Sequence, residues 1–227
     1  MGGYSSEVKI SLKSGSVVYK HLDKEKYTAH KIHILKNKWV LVDEENNEYP
    51  INRHDFSADI NGRKIIFDCV FNAIHGAPGE NGLILAYFDL IGLKHTSAPF
   101  YQMALTFNKR DTLSVVKEYG IATAISVYLN KGDHIDTDKI IAKVGLPCFV
   151  KRNNGGSSYG ISKVYTKTEL IPALEVAYKE DSEVLIESFL NGIEVSVVVI
   201  EYKNKTTVLP ITEIVSENDF FDYEAKY

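Results

Sequence analysis

The residues with the most chemical content lie in one ten-residue segment, Lys151-Arg152-Asn153-Asn154-Gly155-Gly156-Ser157-Ser158-Tyr159-Gly160. Three glycines and two serines let backbone N–H groups and hydroxyls converge on an anion, and Lys151 at the root adds a positive charge. The segment is not a Walker-type phosphate loop, because the Gly-Lys-Ser/Thr triplet is missing and the next element reads as a strand rather than a helix. Two readings stand: a flexible hairpin lid over phosphates, or an ordinary glycine- and serine-rich surface hairpin. A second segment, Glu187-Ser-Phe-Leu-Asn-Gly-Ile-Glu194, places two carboxylates about a turn between strands. Phe189, Leu190 and backbone groups there could surround an adenine, with a carboxylate on the ribose hydroxyls. Two solvated glutamates beside a hairpin fit the same residues.

His75 opens the loop His-Gly-Ala-Pro-Gly-Glu-Asn-Gly (75–82) after an apolar run, a position where ligands approach open α/β sheets. Gly2-Gly3-Tyr4-Ser5-Ser6-Glu7 reads as a glycine turn opening a helix. Glu7 there either binds a substrate ammonium or complements the helix dipole. Lys109, in FNKRD, starts a helix and by default is a solvated surface lysine. The remaining histidines (His21, His30, His33, His54, His95 and His134) have no metal-ligand spacing with cysteine or carboxylate. No HExxH, CxxC or GxSxG is present, so zinc chemistry and serine hydrolysis have no support.

The elements that must position these residues follow from pattern. Residues 5–20 read as a helix capped by Ser5 or Ser6, with Val8 and Leu12 on one face. KIHIL (31–35) and WVLV (39–42) read as a hairpin about Lys36–Lys38. IIFDCVF (65–71) reads as a strand buried on both faces of a parallel sheet, followed by the His75 loop and a helix over LILAYFDLIG. From Pro99 the pattern predicts helices at 99–107 and 109–119, a strand at CFVK (148–151), a strand at ISKVYT (161–166) and a helix at 168–180. β-Branched runs at 195–200 and 206–215 flank the turn Lys203–Lys205 as an antiparallel pair. The predicted fold class is α/β at the start and α+β after about residue 98.

The 227 residues suffice for one large domain or two modest ones. With 44% hydrophobic and 25% charged residues the composition is that of a globular chain with real cores. Twenty-six Lys plus Arg against 30 Asp plus Glu give a net charge of −4, which leaves no basic excess for a nucleic-acid backbone. Cys69 and Cys148 both sit in apolar runs and are expected to be buried free thiols. No apolar run approaches the roughly 18 residues of a membrane span, and the N-terminus lacks the pattern of a signal peptide. A cytoplasmic protein is expected. The chain opens on a Gly-Gly turn with no preceding strand and closes on FFDYEAKY, so a fragment is expected.

Six stretches, in order, are GGYSSEVKISLKSG, IHGAPGENG, LTFNKRD, KRNNGGSSYGISKV, EVLIESFLNGIEVSV and FFDYEAKY. Together they resemble the D-alanine–D-alanine ligase family of the ATP-grasp superfamily over essentially the whole chain. The resemblance implies an α/β N-terminal substrate-side domain (1–98), a central ATP-grasp subdomain (99–187) and the start of an incomplete C-terminal one (188–227). It implies that ATP phosphorylates the carboxylate of one D-alanine and that the amine of a second attacks the acylphosphate. The product, D-alanyl-D-alanine, serves peptidoglycan synthesis, cell-wall biogenesis and cell shape. The chemistry is mostly positioning and charge stabilisation.

The resemblance also assigns roles by position. Glu7 orients the ammonium of the first D-alanine, with His75 nearby. Lys109, Lys151 and Lys226 contact ATP phosphates. Glu187, Phe189 and Leu190 meet the adenine, and Glu194 the ribose. Ser157 sits in the lid, in a hydrogen-bonded catalytic network with Glu7 and Tyr227. ATP with Mg²⁺ (or Mn²⁺) is implied, as is a homodimer that engages neither nucleic acid nor membrane. The metal ligands are expected downstream of Tyr227, so none is assigned here and this chain alone is expected to be inactive. Arg152 departs from the proline usual after the lid lysine and is expected to loosen the lid's base. The rivals are another ATP-grasp carboxylate–amine ligase and a non-catalytic nucleotide-binding module. Glu7, His75 and the Glu-Ala-Lys-Tyr element favour the D-alanine enzyme, since they belong to the substrate side.

Overall fold

The structure, a computed structural model, describes residues 1–216. It comprises two compact units, which are taken separately. The first is Met1–Ile121 with Asn153–Gly156, and the second is Ala122–Arg152 with the described residues from Ser157 onward.

The first unit contains β1 (Gly2–Gly3), α1 (Val8–His21), β2 (Lys31–Leu35), β3 (Trp39–Val42), β4 (Glu48–Asn52), β5 (Ser57–Ile60) and β6 (Arg63–Ile65). These strands form one sheet in chain order, with β1 parallel to β2 and every later pair antiparallel. Asn61 and Gly62 both adopt positive φ and join β5 to β6 in the two-residue turn that an Asn-Gly pair favours. The chain continues through β7 (Cys69–Val70), α2 (Leu83–Leu90), β8 (Lys94–His95), which pairs with β7 in a separate parallel pair, α3 (Phe100–Phe107) and α4 (Lys109–Glu118). Ile84, Leu85 and Phe88 of α2 pack with Ile34, Leu41, Ile51 and Phe56 in the core. Phe56 and Phe88 meet edge to face with centroids 5.0 Å apart.

Two sequence expectations change here. The run 65–71 is not one long buried strand: Ile65 ends β6 opposite Ala58, Cys69–Val70 pairs separately with the two residues of β8, and Ile66, Phe71 and Cys69, expected to be buried, are exposed. Asp68 interrupts the run, and a single two-residue neighbour cannot bury both faces of a strand. The helix predicted from residue 5 begins at Val8, because Ser5 is used in the turn before it. The Ser5 hydroxyl accepts from Glu7 N at 3.2 Å and donates to the His75 carbonyl at 3.2 Å.

The second unit contains β9 (Ser126–Asn130), α5 (Thr137–Val144), β10 (Cys148–Arg152), β11 (Ser162–Val164), α6 (Leu170–Ala177) and β12 (Glu183–Ser188). It ends with β13 (Glu194–Ser196), β14 (Val199–Tyr202), β15 (Lys205–Val208) and β16 (Thr212–Ile214). An antiparallel sheet runs β11-β10-β12-β9, and α5 and α6 cover one face of it. Asp136 caps α5 by accepting from Lys139 N at 3.0 Å, and Ile140 and Val144 face the core one turn apart. A capping box between Thr166 and Glu169 starts the helical segment that becomes α6. Cys148, Val150, Val184 and Ile186 point into this core, and burial pushes the Cys148 thiol above its ordinary pKa. The expected pairing of 195–200 with 206–215 is present as β14–β15, with Val199 opposite Val208, and β13–β16, with Glu194 opposite Ile214. The β14–β15 turn is Lys203–Asn204, both at positive φ.

Candidate functional site

In the first unit Gly2-Gly3, expected as a turn, is instead the strand β1 paired with β2, and it, the start of α1 and the His75 loop are built around one another. Gly2 N donates to Ser11 Oγ at 2.7 Å, and Ser11 Oγ donates to the Ala73 carbonyl at 2.7 Å. Tyr4 N donates to the Ala77 carbonyl at 2.7 Å. Gly76 must be glycine: its φ is +71°, and a Cβ would lie 2.4 Å from Ser5 Oγ and 3.1 Å from Glu7 Oε2. Glu7 thus packs directly under the loop, with only 1% of its surface exposed. His75 Nε2 is 3.2 Å from Ser14 Oγ, one helical turn beyond Ser11, which fixes the ring against α1. Glu80, which pattern reading passed over, accepts from Gly76 N at 2.5 Å and closes the loop on itself. A Cβ on Gly156 would lie 3.7 Å from Glu7 Oε1 and 4.0 Å from Glu80 Oε2, so the glycine-rich segment reaches both carboxylates.

Lys109 is not a solvated surface lysine. Its Nζ donates to the carbonyls of Gly155 at 2.6 Å and Asn153 at 3.3 Å. The amide of Arg110 donates to Asn153 Oδ1 at 2.9 Å, and Asn108 caps α4 through Asp111 N. A small cleft of about 140 Å³ opens there, lined by Glu80, Met103, Thr106, Phe107, Gly155 and Gly156.

In the second unit the register sets a row across the sheet on the face opposite the core. Ser126, Glu187, Phe149 and Lys163 stand side by side on β9, β12, β10 and β11. Two residues along each strand, Tyr128, Leu185 and Lys151 form the next row. Lys151 and Glu187 are diagonal neighbours, and their side chains form an ion pair with only 24% and 9% exposure. Ser126 Oγ is a long 3.5 Å from Glu187 Oε1. Phe149 and Phe189 lie with ring centroids 6.2 Å apart beside this pair. The face therefore offers a cation, an acceptor carboxylate and aromatic surface within one patch.

The other predicted residues are more scattered. Phe189 and Leu190 follow the end of β12, partly exposed, and Glu194 opens β13 with its side chain in solvent. Ser157 begins the turn 157–160 at positive φ. Lys226 and Tyr227 lie outside the described residues. Arg152 does not leave the base of the hairpin open. It is buried at the end of β10, with its guanidinium 3.6 Å from Glu180 Oε2 and 6.0 Å from the Tyr159 ring centroid. Among the described residues no group of three His, Cys, Asp or Glu side chains is placed to hold a metal ion. No described helix is long and apolar enough to cross a membrane.

Residues 1–98 match the family model described as "D-ala D-ala ligase N-terminus", and residues 115–227 match "D-ala D-ala ligase C-terminus". A D-alanine–D-alanine ligase from Flavobacterium johnsoniae is 69% identical over 227 residues, which are all of this chain and 70% of that protein. Among solved structures, D-alanyl-alanine synthetase A from Vibrio cholerae superposes with a TM-score of 0.84 at 27% identity, covering all of this chain and 68% of that one. The D-alanine–D-alanine ligase from Bacillus anthracis, solved in complex with ATP, gives a TM-score of 0.70 at 28% identity, covering 97% of this chain and 66% of that one. The predicted fold class holds: an α/β N-terminal domain is followed by the α+β domain of the ATP-grasp fold. With both family models matched in order and sequence identity this high, the chain belongs to the D-alanine–D-alanine ligase family.

Proposed function

We propose that the reaction of this family, ATP-dependent joining of two D-alanines, uses the two patches described above. The ligand face of the second unit takes the nucleotide: Lys151 meets phosphates, Glu187 accepts from the exocyclic amine of adenine, and Phe189 and Leu190 border the base. Glu194 meets the ribose, and Lys109 and Lys226 add phosphate contacts. Buried Glu7, with His75 beside it, holds the ammonium of the first D-alanine. By the family resemblance, Ser157 and Tyr227 act with Glu7 as the catalytic network. An oxygen of the D-alanine carboxylate attacks the γ-phosphorus and ADP leaves. The amine of the second D-alanine then attacks the acyl carbon, and phosphate leaves as the amine gives up a proton. The division into a substrate-side domain (1–98) and ATP-grasp subdomains (99–187 and 188–227) belongs to this reading.

The observation that supports it most is the Lys151–Glu187 pair set beside Phe149 and Phe189 on the sheet face opposite α5 and α6. Phosphates, an amino-purine and its ring call for those three chemistries. The resemblance to the family supports Mg²⁺ as cofactor, a homodimer and a cytoplasmic setting for dipeptide supply to the cell wall. No step is assigned to the metal.

The test is phosphate release with ATP, Mg²⁺ and D-alanine, using the 227-residue chain beside a form extended to the relatives' length. Release that needs both ATP and D-alanine supports the reading. In the active form, Lys151→Ala should raise the KM for ATP, and Glu7→Gln should raise the D-alanine requirement with ATP affinity unchanged. If both substitutions alter only ATP, the placement of Glu7 on the substrate side is wrong.

A further inference from the structure

β11 contributes one side chain to the ligand face of the second unit, and no motif drew attention to it. Lys163 stands opposite Phe149 in register. Its Nζ lies 4.4 Å from the ring centroid of Phe189, 5.2 Å from that of Tyr165 and 5.9 Å from that of Phe149. An ammonium within about 6 Å of a ring centroid is attracted by the ring's quadrupole, so one charge here draws three rings together. Phe189 needs such a restraint. It follows the last residue of β12, where its amide donates to the Pro147 carbonyl at 3.3 Å, and the residue is 38% exposed.

We propose that Lys163 is a positioning residue for the nucleotide base. It holds the rings of Phe149 and Phe189 as a preformed wall, so that a purine meets an ordered surface and loses less free energy to side-chain ordering on binding. This inference rests on the reading of the Lys151–Glu187 face as the nucleotide site. Lys163 touches no reacting atom in this scheme. Its effect belongs to the base and not to the phosphates, and that division makes it separable from Lys151.

The experiment titrates the wild type, Lys163→Met, Lys163→Arg and Lys151→Ala with ATP and, separately, with inorganic tripolyphosphate, by calorimetry. Thermal melting of each variant checks the fold. Lys163→Met keeps the aliphatic stem and removes the charge, so ATP affinity should fall by about threefold to tenfold. Tripolyphosphate affinity should not change, and Lys163→Arg, which also stacks on rings, should restore ATP binding. Lys151→Ala should weaken both ligands. If Lys151→Ala weakens ATP and Lys163→Met does not, the proposal is overturned while the nucleotide site stands. Equal loss of both ligands in Lys163→Met would make Lys163 a phosphate contact and also overturn it. If the wild type binds neither ligand, or Lys151→Ala changes nothing, the nucleotide-site reading fails first. Should Lys163→Met not fold, Lys163→Gln carries the same comparison.

Discussion

Breaking the Lys151–Glu187 pair gives the most direct measure of how strongly this face is built. The two side chains retain 24% and 9% of their exposure, and they join β10 to β12 across the sheet. At an effective dielectric of about 20, unit charges 4 Å apart attract by about 4 kcal/mol. Lys151 still meets solvent, which screens part of that, and each ion has given up hydration to be there. The expected cost of Lys151→Met is therefore about 1–3 kcal/mol, arising from the carboxylate left beside Phe149 without its counter-charge. Glu187→Gln should cost less, because Gln still accepts a hydrogen bond and Lys151 can turn toward water. The double variant should be more stable than the sum of the two losses predicts, with a coupling of about 1–2 kcal/mol. Urea unfolding followed by far-UV circular dichroism reads the cycle, with hydrogen exchange of the β10 and β12 amides as the local measure. Trp39 fluorescence is unsuitable, since Trp39 lies in the other unit. A coupling below about 0.3 kcal/mol would refute the argument that the pair is desolvated and interdependent. The pair has a functional corollary too: a phosphate must compete with Glu187 for Lys151. Glu187→Gln should accordingly tighten tripolyphosphate binding while weakening that of ATP.

Gly82→Ala should destabilise the first unit by at least about 2 kcal/mol, because φ is +81° and the new Cβ would meet the Phe100 carbonyl oxygen at 2.4 Å. A fall in the Trp39 fluorescence melting temperature would show it. Leu174→Ala should cost the second unit about 2–5 kcal/mol, since Leu174 is 1% exposed in the core between α6 and the sheet; denaturant midpoints test this. Burial holds the imidazoles of His30 and His33 below their ordinary pKa. The unfolded chain then binds more protons than the folded one near neutrality, so stability should fall as pH drops below about 6.5. Replacing both with Asn should flatten the urea midpoint between pH 7.5 and 5.5, and an unchanged slope would count against the assignment.

Local stereochemistry was legible in the chain itself. The hairpins about Lys36–Lys38 and Lys203–Lys205 show it, because each depends on neighbours a few residues away. The six ordered stretches carried the family assignment for the same reason: a loop that must approach a ligand closely keeps its glycines at fixed spacing. Burial was harder to read. IIFDCVF looked like one central strand, yet Ile65 pairs at the end of β6 and Cys69–Val70 pair apart from it in β7, because hydrophobicity states a preference and not the presence of neighbouring strands. Arg152, read as a weak point, is instead buried beside Glu180 and Tyr159, partners that no spacing along the chain indicates. Lys109 changed in the same way once the carbonyls of residues 153 and 155 lay at its tip. The row Ser126–Glu187–Phe149–Lys163 draws on four strands up to 61 residues apart. Its composition follows from strand order and register, which are set when the α5–α6 face is buried, and side chains on the opposite face are brought together as a consequence. The sequence by itself determined which backbone turns and which family this chain has; tertiary structure alone decided which side chains share a face, because that depends on contacts between segments whose separation along the chain carries no record of their pairing.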